Sequence, residues 1–254
     1  MASADSIQSS ITMALPTALI QAVRAADPNV KVVVLLAVGS AIVMEDWIES
    51  ADAIVQTFYP GQEGGTAAAA LLFGDVNFSG KLPFTVATDP SHYPAFGNTA
   101  PTVTFEYLHG YRRFEAQGNT PRFWFGHGLS YTSYEYSEPR VLCSNVTANG
   151  RLNVEVTVTN TGTVAGDEII QLFVAFPPIP GLRNAPPPKE LKAFTRVSLA
   201  PGESKAVQLF VPARDLRHWG ATNGWELATG QHTVFVGPNA DPTALKSAPF
   251  TVSN

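Results

Sequence analysis

A carboxylate set among glycines, Glu63 in Phe58-Tyr59-Pro60-Gly61-Gln62-Glu63-Gly64-Gly65, is the residue of this chain best placed to do chemistry. A glutamate can attack an electrophilic carbon or pass a proton. A glycine loop lets a ligand come close to the backbone. The same residue can instead serve structure alone, by hydrogen-bonding loop amides or by capping the helix expected near Thr66. Both readings stay open. Glu45, Asp46 and Glu49 surround Trp47 in an amphipathic turn and read as solvated. Asp75 serves the turn after Gly74. Glu106 lies on the irregular approach to Gly110, where a substrate role is also open.

Other constellations fail on spacing. The five histidines (His92, His109, His127, His218 and His232) form no i, i+4 pair and no metal-ligand motif. His127 reads as packed and hydrogen-bonded. The single cysteine, Cys143, excludes an intrachain disulfide and a cysteine-rich metal site, and reads as a buried, inert thiol. There is no Gly-x-Ser-x-Gly elbow. Gly126-x-Gly128 lacks a third glycine. The Gly61–Gly65 loop has a strand before it and a helix after it but no Lys-Ser/Thr, so nucleotide binding is carried only as a third reading. No cofactor is implied. The tryptophans can stack on sugar rings, though Trp124 and Trp219 read as core. Asn77 and Asn145 head N-x-S/T triplets and are glycosylation acceptors if the chain passes through a eukaryotic secretory route.

The elements that must position these residues change character near the middle of the chain. Leu15, Leu19, Ile20 and Val23 share one helical face over residues 15–26, with Pro16 in the first turn. Val30–Val38 is a continuous β-branched and leucine run, the pattern of a parallel strand buried on both faces. Ala53–Phe58 is a second strand. Thr66–Leu72 is a closely packed helix ended by Gly74. This is an α/β pattern, but with so few strands the sheet is left with open edges and apolar faces.

From Tyr134 onward only strands and turns are expected. Leu152, Val154, Val156 and Val158 alternate with polar residues. Strands are also predicted at 168–176, 191–199, 205–211 and 232–236, with turns at Asn160-Thr161-Gly162, Pro201-Gly202 and Gly230. Pro177–Pro188 is a surface loop. Short strands at this spacing predict an immunoglobulin-like β-sandwich.

Composition sets the outer limits. The chain has 254 residues, 45% hydrophobic and 15% charged, as in a packed globular protein. A net charge of -5 without a basic run gives no footprint for nucleic acid. No apolar stretch approaches the ~20 residues that span a membrane. Met1–Leu15 lacks the basic and apolar regions of a signal peptide and reads as the middle of a domain.

Several segments, in order, resemble glycoside hydrolase family 3, the β-glucosidase-like family. They are the Pro60–Gly65 loop (Gly61, Gln62, Glu63, Gly64, Gly65), then Leu72–Pro83 with Gly80, Lys81, Leu82 and Pro83, then Gly110-Tyr111-Arg112. The fourth is Phe125-Gly126-His127-Gly128-Leu129-Ser130-Tyr131-Thr132. Phe78 stands where the family pattern has proline. Ala165–Glu168, Lys189–Phe194 and Leu199–Ser204 resemble the family's β-domain.

The resemblance implies a domain plan: residues 1–120 as the C-terminal part of an α/β sandwich, 121–132 as linker, and 133–254 as a fibronectin type III-like domain. The fold class is then α/β followed by all-β, a partial, mostly parallel sheet plus a β-sandwich.

It also implies a retaining mechanism acting on β-linked glucosides and oligosaccharides, without a cofactor, outside the cytoplasm. Such a mechanism needs two carboxyl groups about 5–5.5 Å apart. In the family the nucleophile sits on a preceding (β/α)8 barrel and the acid/base on a loop upstream of the first helix here. Met1–Met13 contains no glutamate and only Asp5 as an acid. Both catalytic positions are therefore expected outside this chain, with the barrel as the missing partner and Glu63 as the one internal candidate. The competing reading is a non-catalytic carbohydrate-binding or scaffold module.

Overall fold

The computed structural model describes residues 16–95, 101–102, 104, 106–179, 181–182, 185–220 and 224–254. Leu15 and the glutamate-free start lie outside them. The chain divides into two compact units that interleave along the sequence. One takes the residues up to Asp75, with Val86–His109 and Thr120–Arg122. The other takes Val76–Thr85, Gly110–Asn119 and Phe123–Asn254.

In the first unit, helix α1 (16–26) precedes two parallel strands, β1 (Val33–Leu36) and β2 (Ala53–Gln56), paired from Val33↔Ala53 to Leu36↔Gln56. The crossover between them is irregular apart from a 3-10 turn at Ile48–Ser50, and it buries Met44 and Trp47. Arg24 at the end of α1 donates to the carbonyls of Pro28, Val30 and Ser50 and pairs with Asp52. Asp52 also accepts from Val32 N (2.8 Å) and Lys31 Nζ (3.1 Å). These donors, the Val32 amide first, hold its carboxyl well below the usual carboxylate range. One arginine and one aspartate thus fix where the helix meets the sheet.

Three expectations for this unit are corrected. The Val30–Val38 run yields a four-residue strand that is not covered on both faces, with Val33 and Leu35 exposed. Among the described residues its only hydrogen-bonded neighbour is β2, and no layer lies over those two side chains. Helix α2 (Gly64–Leu72) starts at Gly64 and buries none of its side chains, so its alanines are not closely packed. On α1, Ile20 is buried whereas Leu19 and Val23 are exposed. The expected end of α2 is present: Gly74 follows the Phe73 cap at φ 84°.

The second unit is a β-sandwich. One sheet has strand order β5 (Asn145–Val146), β13 (Lys246–Val252), β12 (Gly230–Gly237), β7 (Gly166–Ala175), β8 (Glu190–Leu199). In the other, β6 (Arg151–Asn160) pairs with β9 (Ser204–Pro212) along one edge, and with β3 (Tyr134–Tyr136) and β4 (Arg140–Val141) along the other. A hairpin of β10 (Arg217–Trp219) and β11 (Trp225–Leu227) stands apart from both sheets. The alternation read from the sequence holds: Leu152, Val154, Val156 and Val158 of β6 face Ile170, Leu172 and Val174 of β7, with Val234, Val236 and Phe250 in the same core. Each such buried side chain contributes about 1.5–3 kcal/mol relative to exposure.

Strand β7 is buried on both faces, because Gln171 and Phe173 on its outer side are also covered. The cover is helix α3 (Gly110–Gln117) and the glycine–aromatic segment after it. Tyr111 meets Phe173 edge-on at 5.7 Å and Phe125 at 5.2 Å, and its hydroxyl oxygen accepts from Leu191 N (2.8 Å). Burial pushes the Tyr111 hydroxyl pKa up. The stretch read as the approach to a linker is thus a third layer on the sandwich.

Candidate functional site

In an open parallel sheet the carboxyl ends of the strands are where ligands bind. The loops leaving β1 and β2 meet there. A Cβ added at Gly39 would come within 2.8 Å of the exposed Tyr59 ring, which would have to shift to admit it. Phe58 turns the chain out of β2 at φ 55°, the one positive-φ non-glycine residue among those described. Tyr59 is exposed, and Gly61 takes φ 69° before α2 begins. Glu63 stands at the N-cap of α2, exposed, with no side-chain capping bond. The capping reading is thereby corrected: among the described residues it is the Glu63 carbonyl that is engaged, accepting from Ala67 N at 2.9 Å. Gln62 is exposed beside it, and Gly64 fits tightly against the Pro60 ring while Gly65 has open space.

The neighbouring acids divide. Glu45, expected to be solvated, is half-buried and forms a two-pronged pair with Arg122, whose Nε donates at 2.7 Å. That bond, ahead of any charge effect, lowers its pKa. Asp46, Glu49, Asp75 and Glu106 are exposed.

The other motif residues come together in the second unit. Gly126 donates to Leu82 O (2.7 Å), and Leu82 donates back to His127 O (2.8 Å). A Cβ on Gly128 would stand 2.1 Å from the carbonyl oxygen of Gly80, and one on Gly126 would strike the buried Gln171 amide. Gly126 also needs φ 83°. Pairing between 80–82 and 126–128 is why glycines recur in both motifs.

Lys81 reaches the buried Glu168 (3.2 Å to each oxygen), which also accepts from Tyr136 Oη at 2.7 Å. Asn77 binds the far end of the segment, accepting from Ser130 Oγ (3.0 Å) and Tyr131 N (2.8 Å) and donating to Ala165 O (2.9 Å). Thr132 donates to the buried Asn160, the hub of the expected turn. Leu129 is exposed, as is Pro83. Arg112 pairs with Glu190 at 3.3 Å.

Among the remaining expectations, His127 stacks on Phe123 at 4.8 Å, and burial followed by the Lys81 charge lowers its pKa. Cys143 is exposed rather than buried, because it lies in the bend between the two-residue strands β4 and β5. Trp219 is also exposed, since the hairpin that carries it lies outside both sheets. Asn145 is exposed. No cluster of three or more His, Cys, Asp or Glu side chains able to hold a metal is present among the described residues. No helix among them is long and apolar enough to cross a membrane.

Sequence reasoning missed Lys189, which is 1% exposed and pairs with Glu115 of α3. Its ammonium lies 6.0 Å from the Trp124 ring centre and 5.9 Å from that of Phe173. It also missed the paired Trp219 and Trp225; their spacing around Gly220 and Gly224 was the available signal.

An α/β body with a glycine-pinned β-sandwich is a chain of two module types, and each matches a known one. Residues 4–131 match the glycosyl hydrolase family 3 C-terminal domain, and residues 168–240 a fibronectin type III-like domain. The chain belongs to glycosyl hydrolase family 3. It is similar to thermostable beta-glucosidase B of Acetivibrio thermocellus, 37% identical over 236 residues, covering 91% of this chain and 30% of that protein. The crystal structure of beta-D-glucoside glucohydrolase from Trichoderma reesei superposes with a TM-score of 0.83 at 31% identity, over 93% of this chain and 35% of that one. Beta-glucosidase 3B from Thermotoga neapolitana, solved in complex with glucose, gives 0.80 at 34% identity, over 94% and 34%. The chain thus spans about 30% of the length of the curated relative.

Proposed function

We propose that this chain is the C-terminal portion of a retaining β-glucosidase acting on terminal β-linked glucosyl residues, and that both catalytic carboxyl groups are supplied from outside it. The carrying observation is that its two modules match the family in order while spanning about 30% of a whole β-glucosidase. In chain order, 1–120 would belong to the α/β sandwich, 121–132 to the joining segment and 133–254 to the fibronectin type III-like part. The same reading carries work outside the cytoplasm, on oligosaccharides, as part of the proposal. The carboxylates described above support this reading, because Glu45 and Glu168 are committed to Arg122 and Lys81 while Glu63 is exposed and makes no side-chain capping bond.

The test is to incubate the purified chain with 4-nitrophenyl β-D-glucopyranoside. No turnover is expected, and Glu63→Gln should change nothing. Turnover by the chain that Glu63→Gln abolishes would overturn the proposal and make Glu63 catalytic.

A further inference from the structure

A second feature of the β-domain has the chemistry of a binding site and belongs to none of the motifs above. On the β10–β11 hairpin, Arg217 pairs with Leu227 and Trp219 with Trp225, so these four side chains share one face. Leu227 packs towards the core and anchors that face. Trp225 and Trp219 remain 66% and 54% exposed, with ring centres 5.6 Å apart and planes at 88°. A perpendicular neighbour braces an indole without covering both of its faces. Beside Trp225 lies an open cleft of about 540 Å³ lined also by Leu191, Lys192, Arg214, Asp215 and Arg217. That volume lies within the ordinary range of small-ligand pockets, about 300–1,000 Å³.

The charges of the cleft do not cancel. Lys192 is paired with Glu190 at 2.8 Å and sits 4.9 Å over the Phe176 ring. Arg214 faces Asp215 at 3.8 Å. Arg217 is exposed and has no acidic partner among the described residues. One guanidinium is therefore left free beside an open indole, in a chain whose net charge is -5. A chain of that charge does not collect anions generally. A guanidinium takes a carboxylate through two parallel hydrogen bonds. An indole face takes the apolar face of a pyranose ring. A single free cation is too little for a nucleic-acid backbone, which needs a basic groove.

We propose that the Trp225 cleft binds an acidic oligosaccharide, with a hexuronate carboxylate on Arg217 and a pyranose ring on the indole of Trp225. The site is independent of the glycosidase reading and stands or falls without it.

The test is to titrate the full 254-residue chain with trigalacturonate, with neutral cellotriose and with an oligothymidylate, by calorimetry and by tryptophan emission. Trigalacturonate should bind saturably and at least ~10-fold more tightly than cellotriose, and the oligothymidylate should not bind. Trp225→Ala should weaken trigalacturonate at least ~10-fold. Arg217→Gln should bring it down to the level of cellotriose. Both residues are exposed, and an unchanged circular dichroism spectrum will show that the variants fold. Absence of saturable binding would overturn the proposal, as would equal affinity for the neutral trimer, comparable binding of the oligothymidylate, or unchanged binding by Trp225→Ala.

Discussion

Removing the carboxylate of Glu115 should destabilise the β-domain far more than its place on a surface helix suggests. Lys189 is 1% exposed, and its charge is answered by Glu115 and by two ring faces. In Glu115→Ala the ammonium stays buried without its counter-ion. Breaking a buried pair from one side costs about 3–5 kcal/mol. The Glu115 side chain is 21% exposed, so some water reaches the pair and the lower figure applies. Alanine is a better helix former than glutamate by only a few tenths of a kcal/mol and offsets little. A loss of about 3 kcal/mol lowers the midpoint by about 6–12 °C for a chain of this size.

The assay is thermal unfolding of the whole chain followed by circular dichroism, at pH 7 and pH 10. Burial already lowers the Lys189 pKa, and losing Glu115 lowers it further. The unfolded lysine keeps its proton to about pH 10.4. Between the folded and unfolded values the unfolded chain binds more protons, so stability rises with pH. The deficit of Glu115→Ala should therefore shrink at pH 10. Lys189→Met with Glu115→Leu, which removes both charges, should come within about 1 kcal/mol of the parent. A single-variant loss below about 1 kcal/mol, or a deficit equal at both pH values, would refute the reasoning.

Gly128→Ala should lower stability by about 3 kcal/mol, because its new methyl meets the Gly80 carbonyl at 2.1 Å; Gly65→Ala, on open helix surface, should be neutral or gain up to about 1 kcal/mol, and thermal unfolding of the pair will show whether the signs differ. His232 has Nδ1 3.1 Å from Gly230 O while its buried Nε2 has no hydrogen-bond partner among the described residues, and burial lowers its pKa. The unfolded chain then takes up the proton first, so stability should be full above about pH 6.5 and fall by up to ~1.4 kcal/mol per unit below it. His232→Phe should flatten that slope in urea titrations at pH 7 and 5, and an unchanged slope would exclude His232 as its source. Expressed through a eukaryotic secretory route, the folded chain should carry glycan at exposed Asn145 and not at Asn77, whose amide is bound to Ala165 O; peptide mapping showing full occupancy at Asn77 would contradict that placement.

The β-domain was legible because its strands alternate cleanly and its turns carry glycine or proline, as β6 shows residue by residue. Strand β13 escaped because Pro249 argues against a central strand. It is tolerated because β5 pairs only with Thr251 and Val252, leaving the strand an edge at that position. Helix α3 escaped because Phe114 is its only buried residue, although Gly118 at φ 68° follows it as a terminator. The burial of β1 was over-read because an apolar run reports what a strand is made to meet, not what covers it. Lys189 could not be found at all: nothing in Pro186-Pro187-Pro188-Lys189-Glu190 marks a lysine that will sit between two aromatic rings.

The glycine–aromatic segment changes meaning once its contacts are known. Read along the chain it separates an α/β part from a β part. In the structure, Gly126 and Gly128 bring 80–82 alongside it, Tyr111 and Phe125 lie over Phe173, and Asn77 holds Ser130 and Tyr131. Gln171 and Phe173 on the outer face of β7 are buried because these residues cover them. A β-domain cut at residue 133 would present Phe173 to water and leave Lys189 without Glu115. The second compact unit accordingly takes in Val76–Thr85 and Gly110–Asn119 as well as the strands.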